Sequence, residues 1–395
     1  MIRRIEDADI AGKRVLVRVD FNVPMEGMRV ADDTRLRAAL ATIHHLRDGG
    51  AKVILAAHFD RPRGRRVPSM SLAPVASALE DLLGTPVKFV SDCIGPDAEG
   101  AAGLLKPGGV LLLENTRFHA GEEANDPDFA ADLARLADIY VNDAFSAAHR
   151  AHASTVGVAR LLPSYAGLAL QREINHVTAA LDAPQRPLLA IVGGAKVSTK
   201  IDLLKNLTAK VDRLFIGGAM ANTFLAARGH SVGSSLYERE LLETARAIEE
   251  AAGQAGCTLM LPVDVVVARE FKAHADRRVA GLEDVQGPEM ILDCGPETID
   301  RLADAIETAR TLVWNGPLGA FETPPFDTGT VEAAQFAALR CREHGLTAVA
   351  GGGDTVSALN RAGAADDFTF VSTAGGAFLE WLEGKTLPGI AVLEG

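Results

Sequence analysis

Short, predominantly apolar runs recur along this chain, each stopping at a glycine, a proline or a polar residue and most followed by a helical pattern. In the first half they fall at 13–19, 51–57, 87–90, 109–113 and 138–141; in the second at 188–192, 211–216, 258–261, 311–314, 346–350 and 368–371. A strand that is apolar on both faces has to be covered on both. Strands that alternate with helices run parallel, because only a crossover is long enough to return the chain. The pattern therefore predicts doubly wound, Rossmann-like parallel α/β architecture. A length of 395 residues exceeds what one core sustains, so two such domains are expected. We place the first at 1–165 and the second at 186–382, with 166–185 as a connecting helix and hinge that ends near Pro184 and Pro187.

Composition narrows the class. Hydrophobic residues make up 48% and charged residues 23%, which is ordinary for a soluble globular chain. No apolar run approaches the ~18 residues of a membrane span. The N-terminus, Met-Ile-Arg-Arg-Ile-Glu-Asp, breaks with acids where a signal peptide needs its apolar core. The four cysteines (Cys93, Cys257, Cys294, Cys341) are scattered, without metal-type spacing or disulfide density. These features point to a cytoplasmic, reduced protein. A net charge of −12 argues against nucleic-acid binding but leaves room for a local cationic pocket. Two complete domains suggest a monomer.

Polar residues cluster just past the strand ends of the first half: Asp20, Asn22, His58, Arg61, Arg117, Asn142 and Asp143. Parallel strands put their carboxyl ends along one edge, and ligands bind there. Arg35, His58, Arg61, Arg117 and Arg150 are thus expected to converge into an anion site, since guanidinium forks match phosphate or carboxylate oxygens in pairs. Arg63, Arg65 and Arg66 lie in a Pro/Gly/Ser-rich loop and are read as solvent-exposed. His119, His149 and His152 do not read as a metal site, because no cysteine or carboxylate partner completes a set.

Glycines take the same positions in the second half: Gly193-Gly194 before Lys196 and Lys200, Gly217-Gly218, Asn315-Gly316-Pro317 before Glu322, Gly351-Gly352-Gly353-Asp354-Thr355, and Gly375-Gly376. Glycine lets backbone amides approach a ligand, and a helix starting there points its N-terminus at an anion. A helix over 197–207 would put Lys196 and Lys200 on one side of its first turn. Asp354 reads either as a helix N-cap or as a Mg²⁺ ligand, and one carboxylate suffices where phosphates and water complete the shell. Gly384-Lys385-Thr386 imitates the end of a Walker A motif, but Leu379 stands where that motif needs glycine. The glycine pairs also lack G-x-G-x-x-G spacing, which leaves a dehydrogenase weakly supported.

The chain resembles the phosphoglycerate kinase family over essentially its full length. The matching stretches are Arg18-Val-Asp-Phe-Asn-Val-Pro24, Leu113-Glu-Asn-Thr-Arg-Phe-His119, Asn142-Asp-Ala-Phe145, Ala148-His-Arg-Ala-His-Ala-Ser154, Gly193-Gly-Ala-Lys-Val-Ser198, Trp314-Asn-Gly-Pro317, Gly351-Gly-Gly-Asp-Thr355 and Leu382-Glu-Gly-Lys385. The resemblance implies that the tail 383–395 packs back on the first domain. It implies binding of 3-phosphoglycerate or 1,3-bisphosphoglycerate by Asp20, Phe21, Asn22, Arg35, His58, Phe59, Asp60, Arg61, Arg117 and Arg150. It implies Mg²⁺ with ATP or ADP at Lys196, Lys200, Gly218, Asn315, Glu322, Gly351, Gly352, Gly353, Asp354 and Thr355, with Asp354 beside the metal. Arg35, Lys196 and the amides of Gly375 and Gly376 are the expected stabilisers of the transferring group.

The expected activity is reversible phosphoryl transfer between 1,3-bisphosphoglycerate and ADP, by alignment and charge neutralisation and without a covalent intermediate or general base. Two residues depart from the family pattern. Asp60 and Ala374 stand where glycine is usual; the first puts a negative charge beside the anion site, pointing outward or paired with an arginine, and the second adds a methyl near the nucleotide phosphates. A kinase of another small metabolite on the same fold, or a binding protein descended from one, are the alternatives.

Overall fold

The computed structural model describes residues 2–394. They divide into two compact units, one running to Asn175 and resumed from Thr386, the other His176–Lys385. The chain therefore crosses between units twice, inside the helix Leu168–Leu181 and at Lys385/Thr386.

The first unit contains β1 (Arg14–Arg18), the hairpin β2 (Met25–Glu26) and β3 (Arg29–Val30), then β4 (Lys52–Ala56), β5 (Val87–Val90), β6 (Val110–Leu113), β7 (Ile139–Asn142) and β8 (Ser164–Ala166). Six strands form one all-parallel sheet in the order β5-β6-β4-β1-β7-β8. The chain enters at the middle with β1, places β4 on one side and later β7 on the other. The carboxyl ends of these central strands flank the point where a parallel α/β sheet offers a crevice. Val15, Val17, Val53, Leu55, Leu112 and Val141 are buried in one core with Leu36, Ile43 and Leu46 of the helix Thr34–Asp48. The C-terminal segment pairs here too: Arg3 N–H donates to Leu393 O (3.3 Å) and Gly389 N–H to Ala148 O (2.8 Å).

The second unit continues with β9 (Leu188–Val192), β10 (Arg213–Ile216), β11 (Thr258–Met260), β12 (Asp264–Ala268), β13 (Arg277–Gly281), β14 (Met290–Cys294), β15 (Thr311–Asn315), β16 (Thr347–Gly351) and β17 (Phe370–Ser372). Its parallel sheet has the order β11-β10-β9-β15-β16-β17. The order reverses between β9 and β15, where Val192 pairs with Asn315. Alanines 333, 334, 337 and 338, on the helix Thr328–His344, are buried in the core with Leu302 and Ile306 of the helix Pro296–Thr308. Small side chains on that face let the two helices approach closely.

The apolar runs locate the parallel strands to within about two residues, the usual uncertainty at element ends. The antiparallel sheet β13-β12-β14 and the edge strand β8 lie outside those runs. Residues 264–294 mix charged and apolar positions because one face of that small sheet meets solvent, so no continuous apolar signal marks it.

Candidate active site

In the first unit Asn22, His58, Asp60, Arg61, Arg117 and Arg150 line one pocket of about 160 Å³, together with Ser146, Ala147, His149 and His152. Its deepest support is Arg18, at the end of β1 and 1% exposed. Arg18 donates from Nε to Ser154 Oγ (2.9 Å) and from Nη1 to Val19 O (2.5 Å), and its Nη2 lies 2.7 Å from His58 Nδ1. A guanidinium only donates, so His58 Nδ1 accepts and the ring proton sits on Nε2. Burial, then the charges of Arg18 and Arg117, hold His58 well below the ordinary imidazole range. Burial and the same arginines lower His152 to about 4. Both imidazoles are neutral near pH 7, and Arg61, Arg117 and Arg150 supply the pocket's positive charge.

The remaining expected residues stand behind that wall. Arg35 Nη1 donates to Asn22 O (2.7 Å) and Asp20 Oδ1 (3.2 Å), while Asp20 Oδ2 accepts from Ser146 Oγ (2.6 Å). Arg35 and Asp20 thus brace the wall without lining it. Phe21 and Phe59 are 0% and 8% exposed and belong to the hydrophobic core, so their rings do not line the pocket. Asp60 holds a left-handed φ of 52°. Its N–H donates to Asn22 Oδ1 (2.9 Å), its carbonyl accepts from Arg117 Nη1 (2.9 Å), and its exposed carboxylate forms no ion pair among the described residues. Of the two orientations left open by the sequence, the outward one is adopted.

The histidine reading needs one correction. His119 Nε2 lies 2.7 Å from Asp92 Oδ1, and Cys93 completes a cluster whose potential ligand atoms lie within 4.8 Å of one another. A carboxylate and a cysteine do therefore adjoin a histidine, brought from 27 and 26 residues away by β5 and β6. Asp92 is also tied to Arg66 (3.2 Å), so its oxygens already have partners.

In the second unit a pocket of about 400 Å³ is walled by Leu236, Met290, Pro317, Leu318 and Phe321 and reaches Gly194, Gly218, Glu322 and Asp354. The apolar side chains suit a flat ring and the two acids mark its polar ends. The sequence marks the glycines and acids but not the apolar wall, whose residues come from three separate segments. The helices Gly353–Arg361 and Gly375–Leu382 both begin without a side-chain cap. A Cβ built on Gly375 would lie 3.5 Å from Gly353 N, so the two sets of unpaired first-turn amides adjoin, a ready anion site.

Asp354 sits in the first turn, with Gly352 (φ 102°) in the N-cap position. The N-cap reading of Asp354 is thereby set aside. Its exposed carboxylate makes no hydrogen bond or ion pair among the described residues and borders the pocket. A free, hard oxygen donor beside uncapped amides fits a Mg²⁺ that brings phosphate and water ligands with it.

The two lysines part company. Residues 197–199 form a 3-10 turn and the α-helix starts only at Ile201. Lys196 is exposed, whereas Lys200 turns inward and donates from Nζ to Gly193 O (2.6 Å), Asn315 Oδ1 (2.6 Å) and Asn315 O (3.2 Å). Burial lowers Lys200 to about 8 against the opposing pull of Asp354. The expectation of one continuous helix with both lysines on one side is corrected: the carbonyls at the β9/β15 reversal capture the second ammonium.

Three other residues expected at the nucleotide also make contacts that hold the second unit together. Asn315 is buried, donating to Gly351 O (2.8 Å) besides holding Lys200. Thr355 is buried and its Oγ1 accepts from Gly316 N–H (2.7 Å). Gly351 packs on Phe378, whose ring a Cβ would meet at 2.5 Å. Ala374 is 2% exposed, so its extra methyl faces the core.

Two parallel α/β units, one with an arginine-lined anion pocket and the other with an apolar slot leading to uncapped helix starts, define a phosphotransfer enzyme of the kinase class. The phosphoglycerate kinase profile matches residues 5–385. A phosphoglycerate kinase from Maricaulis maris is 66% identical over 394 residues, covering 100% of this chain and 98% of its own. One from Caulobacter vibrioides is 62% identical, covering 99% of each. The solved structure of phosphoglycerate kinase from Coxiella burnetii matches with a TM-score of 0.91 at 42% identity, over 100% of this chain and 98% of the other. The chain belongs to the phosphoglycerate kinase family, and its activity is that of a kinase.

Proposed function

We propose that the protein catalyses reversible, Mg²⁺-dependent phosphoryl transfer between 1,3-bisphosphoglycerate and ADP, giving 3-phosphoglycerate and ATP. The observation that carries this reading is the division of labour between the units. Guanidiniums and neutral histidines in the first suit a small, highly charged acid. An apolar slot ending at helix N-termini in the second suits a nucleotide.

Arg61, Arg117 and Arg150 neutralise the phosphoglycerate, and His58 donates from Nε2 without adding charge. Asp20, Asn22 and Arg35 hold the wall in place, and Arg35 also serves the transferring group once ligand competes for its guanidinium. In the second unit Glu322 accepts from the ribose, and the amides of Gly353, Gly375 and Gly376 meet the phosphates. Asp354 would hold the Mg²⁺ that accompanies the nucleotide and offsets its charge. Exposed Lys196 is free to follow the transferring group; Lys200 reaches the nucleotide only by releasing one of its carbonyl partners. Charge spread over three equatorial oxygens needs donors from several directions, which backbone amides and lysine together provide. A carboxylate acceptor is already anionic, so no general base is required. Substrates held on separate units imply a hinge motion between them. We further propose a cytoplasmic monomer, consistent with four cysteines that form no disulfide.

A coupled assay with 3-phosphoglycerate and ATP tests the reaction. Absence of turnover from a well-folded sample would sink it, and turnover with a different small acid at higher kcat/KM would favour another metabolite kinase.

A further inference from the structure

The ends of β5 and β6 meet over three side chains that phosphoryl transfer does not use. Asp92 and Cys93 follow β5 and precede the helix Gly95–Gly103, and His119 follows the 3-10 turn Thr116–Phe118 after β6. The two strands are parallel neighbours, with Val90 beside Leu113, so their ends bring these residues together. One ligand atom each from Asp92, Cys93 and His119 lies within 4.8 Å of the other two. Cys93 is 0% exposed, while Asp92 and His119 are half-buried and open to solvent.

Outer partners orient the set, as they do for metal ligands. Asp92 Oδ1 accepts from Cys93 N–H (2.7 Å), and the His119 ring packs on Phe129 with centroids 5.2 Å apart. His119 Nε2 lies 2.7 Å from Asp92 Oδ1, so a cation on that line would replace the shared proton. Arg66 opposes a cation, but its side chain is 52% exposed and pairs with the other oxygen, Oδ2 (3.2 Å). Burial and the carboxylates of Asp92, Glu122 and Glu114 push the Cys93 thiol well above its ordinary range; those same carboxylates attract a dication. Tetrahedral ligands of such an ion stand about 3.3–3.7 Å apart. The histidine–carboxylate pair has to open by about 1 Å or less and the thiol to close by no more than about 1.5 Å, which side-chain rotation supplies.

We propose that Asp92, Cys93 and His119 bind one thiophilic divalent cation of the Zn²⁺ class, separate from the Mg²⁺ that accompanies the nucleotide. Sulfur and imidazole select such an ion over Mg²⁺, which takes oxygen ligands. On binding, the Cys93 S–H bond breaks, its proton passes to solvent and a sulfur–metal bond forms. The His119 nitrogen facing Asp92 gives its lone pair to the metal, and the ring carries its proton on the other nitrogen. Water fills the fourth position. The cation thereby ties the end of β5 to the turn that carries Arg117 of the anion pocket.

The test uses the full chain, treated with chelator, and Co²⁺ as an optical stand-in for Zn²⁺. Wild type is expected to bind one Co²⁺ with a thiolate-to-cobalt charge-transfer band and the visible bands of a tetrahedral site. One equivalent of Zn²⁺ should abolish both, and about a hundredfold excess of Mg²⁺ should not. Cys93→Ser should lose the charge-transfer band. His119→Ala and Asp92→Asn should weaken Co²⁺ binding at least about tenfold, and Asp354→Ala should leave the bands unchanged. His119→Ala, at a half-buried position, decides the matter if Cys93→Ser does not fold. Absence of the charge-transfer band in wild type would overturn the proposal. So would a band that survives in Cys93→Ser, since another of the four cysteines would then be the ligand. Binding unchanged in both His119→Ala and Asp92→Asn would overturn it too, since the thiol would be acting alone, as would displacement by Mg²⁺ or loss of the bands in Asp354→Ala. The readout is spectral, so it stands whether or not the assigned phosphoryl transfer is observed.

Discussion

Replacing Asp60 with glycine should tighten phosphoglycerate binding with little effect on stability. The carboxylate is exposed and unpaired on the rim of an anion pocket. A pocket of about 160 Å³ has a radius on the order of 3–4 Å, and with the reach of the exposed side chain we take a central phosphate to lie on the order of 6 Å from the carboxylate. A dianion at that range is repelled by ~1.4 kcal/mol in water, and screening at physiological salt leaves roughly 0.7 kcal/mol, about threefold in Kd. At ~0.01 M salt the screening nearly vanishes and the gain approaches sevenfold. The backbone contributions oppose each other: glycine relieves a left-handed φ of 52° but adds freedom to the unfolded chain, for a net change on the order of 1 kcal/mol or less. Asp60 N–H and C=O keep their partners in Asn22 and Arg117. Calorimetry with 3-phosphoglycerate across a salt series reads the effect, with Asp60→Asn as the charge-only control. Tightening that is absent in both variants, or that does not shrink with salt, would refute the argument.

Other residues give sharper separations of fold from function. Lys196 is exposed, so Lys196→Ala should leave the denaturation midpoint essentially unchanged while turnover falls roughly a hundredfold; normal turnover would remove it from the transferring-group site. Lys200→Met strips donors from Gly193 O and both oxygens of Asn315, which should cost about 1–3 kcal/mol in urea unfolding and weaken ATP binding; unchanged stability would mean that water replaces the ammonium at once. Burial raises the Asp293 carboxyl to about 7 although it accepts from Gly329 and Cys294 N–H. The native chain then keeps a proton that the unfolded chain releases near pH 4. Its contribution is fully present below that value and is lost as pH rises through about 7. The stability of wild type relative to Asp293→Asn should therefore fall by roughly 2–3 kcal/mol between about pH 5 and 8; a gap that does not change with pH would refute this.

The sequence by itself determined the two parallel sheets, the strand ends and the residue types that meet there. Burial on both faces of a strand leaves a continuous apolar run, and the rule that parallel strands share one ligand-binding edge does the rest. That sufficed to bring His58, Arg61, Arg117 and Arg150 into one pocket on paper, and to mark Glu322 and Asp354 as pocket acids. Directions of side chains beyond the strand ends were not legible, because each depends on a partner far along the chain. Arg18 settles the tautomer of His58 from beneath it. Phe21 and Phe59 turn into the core, and Asn315 and Thr355 into the backbone of their own unit. Lys200 looked like a twin of Lys196, but only the tertiary structure gathers Gly193 O and the two Asn315 oxygens around its ammonium. Asp143 likewise reads as one more polar strand end. It accepts at the start of the crossing helix only once β7 delivers it to the amides of Ala169 and Leu170.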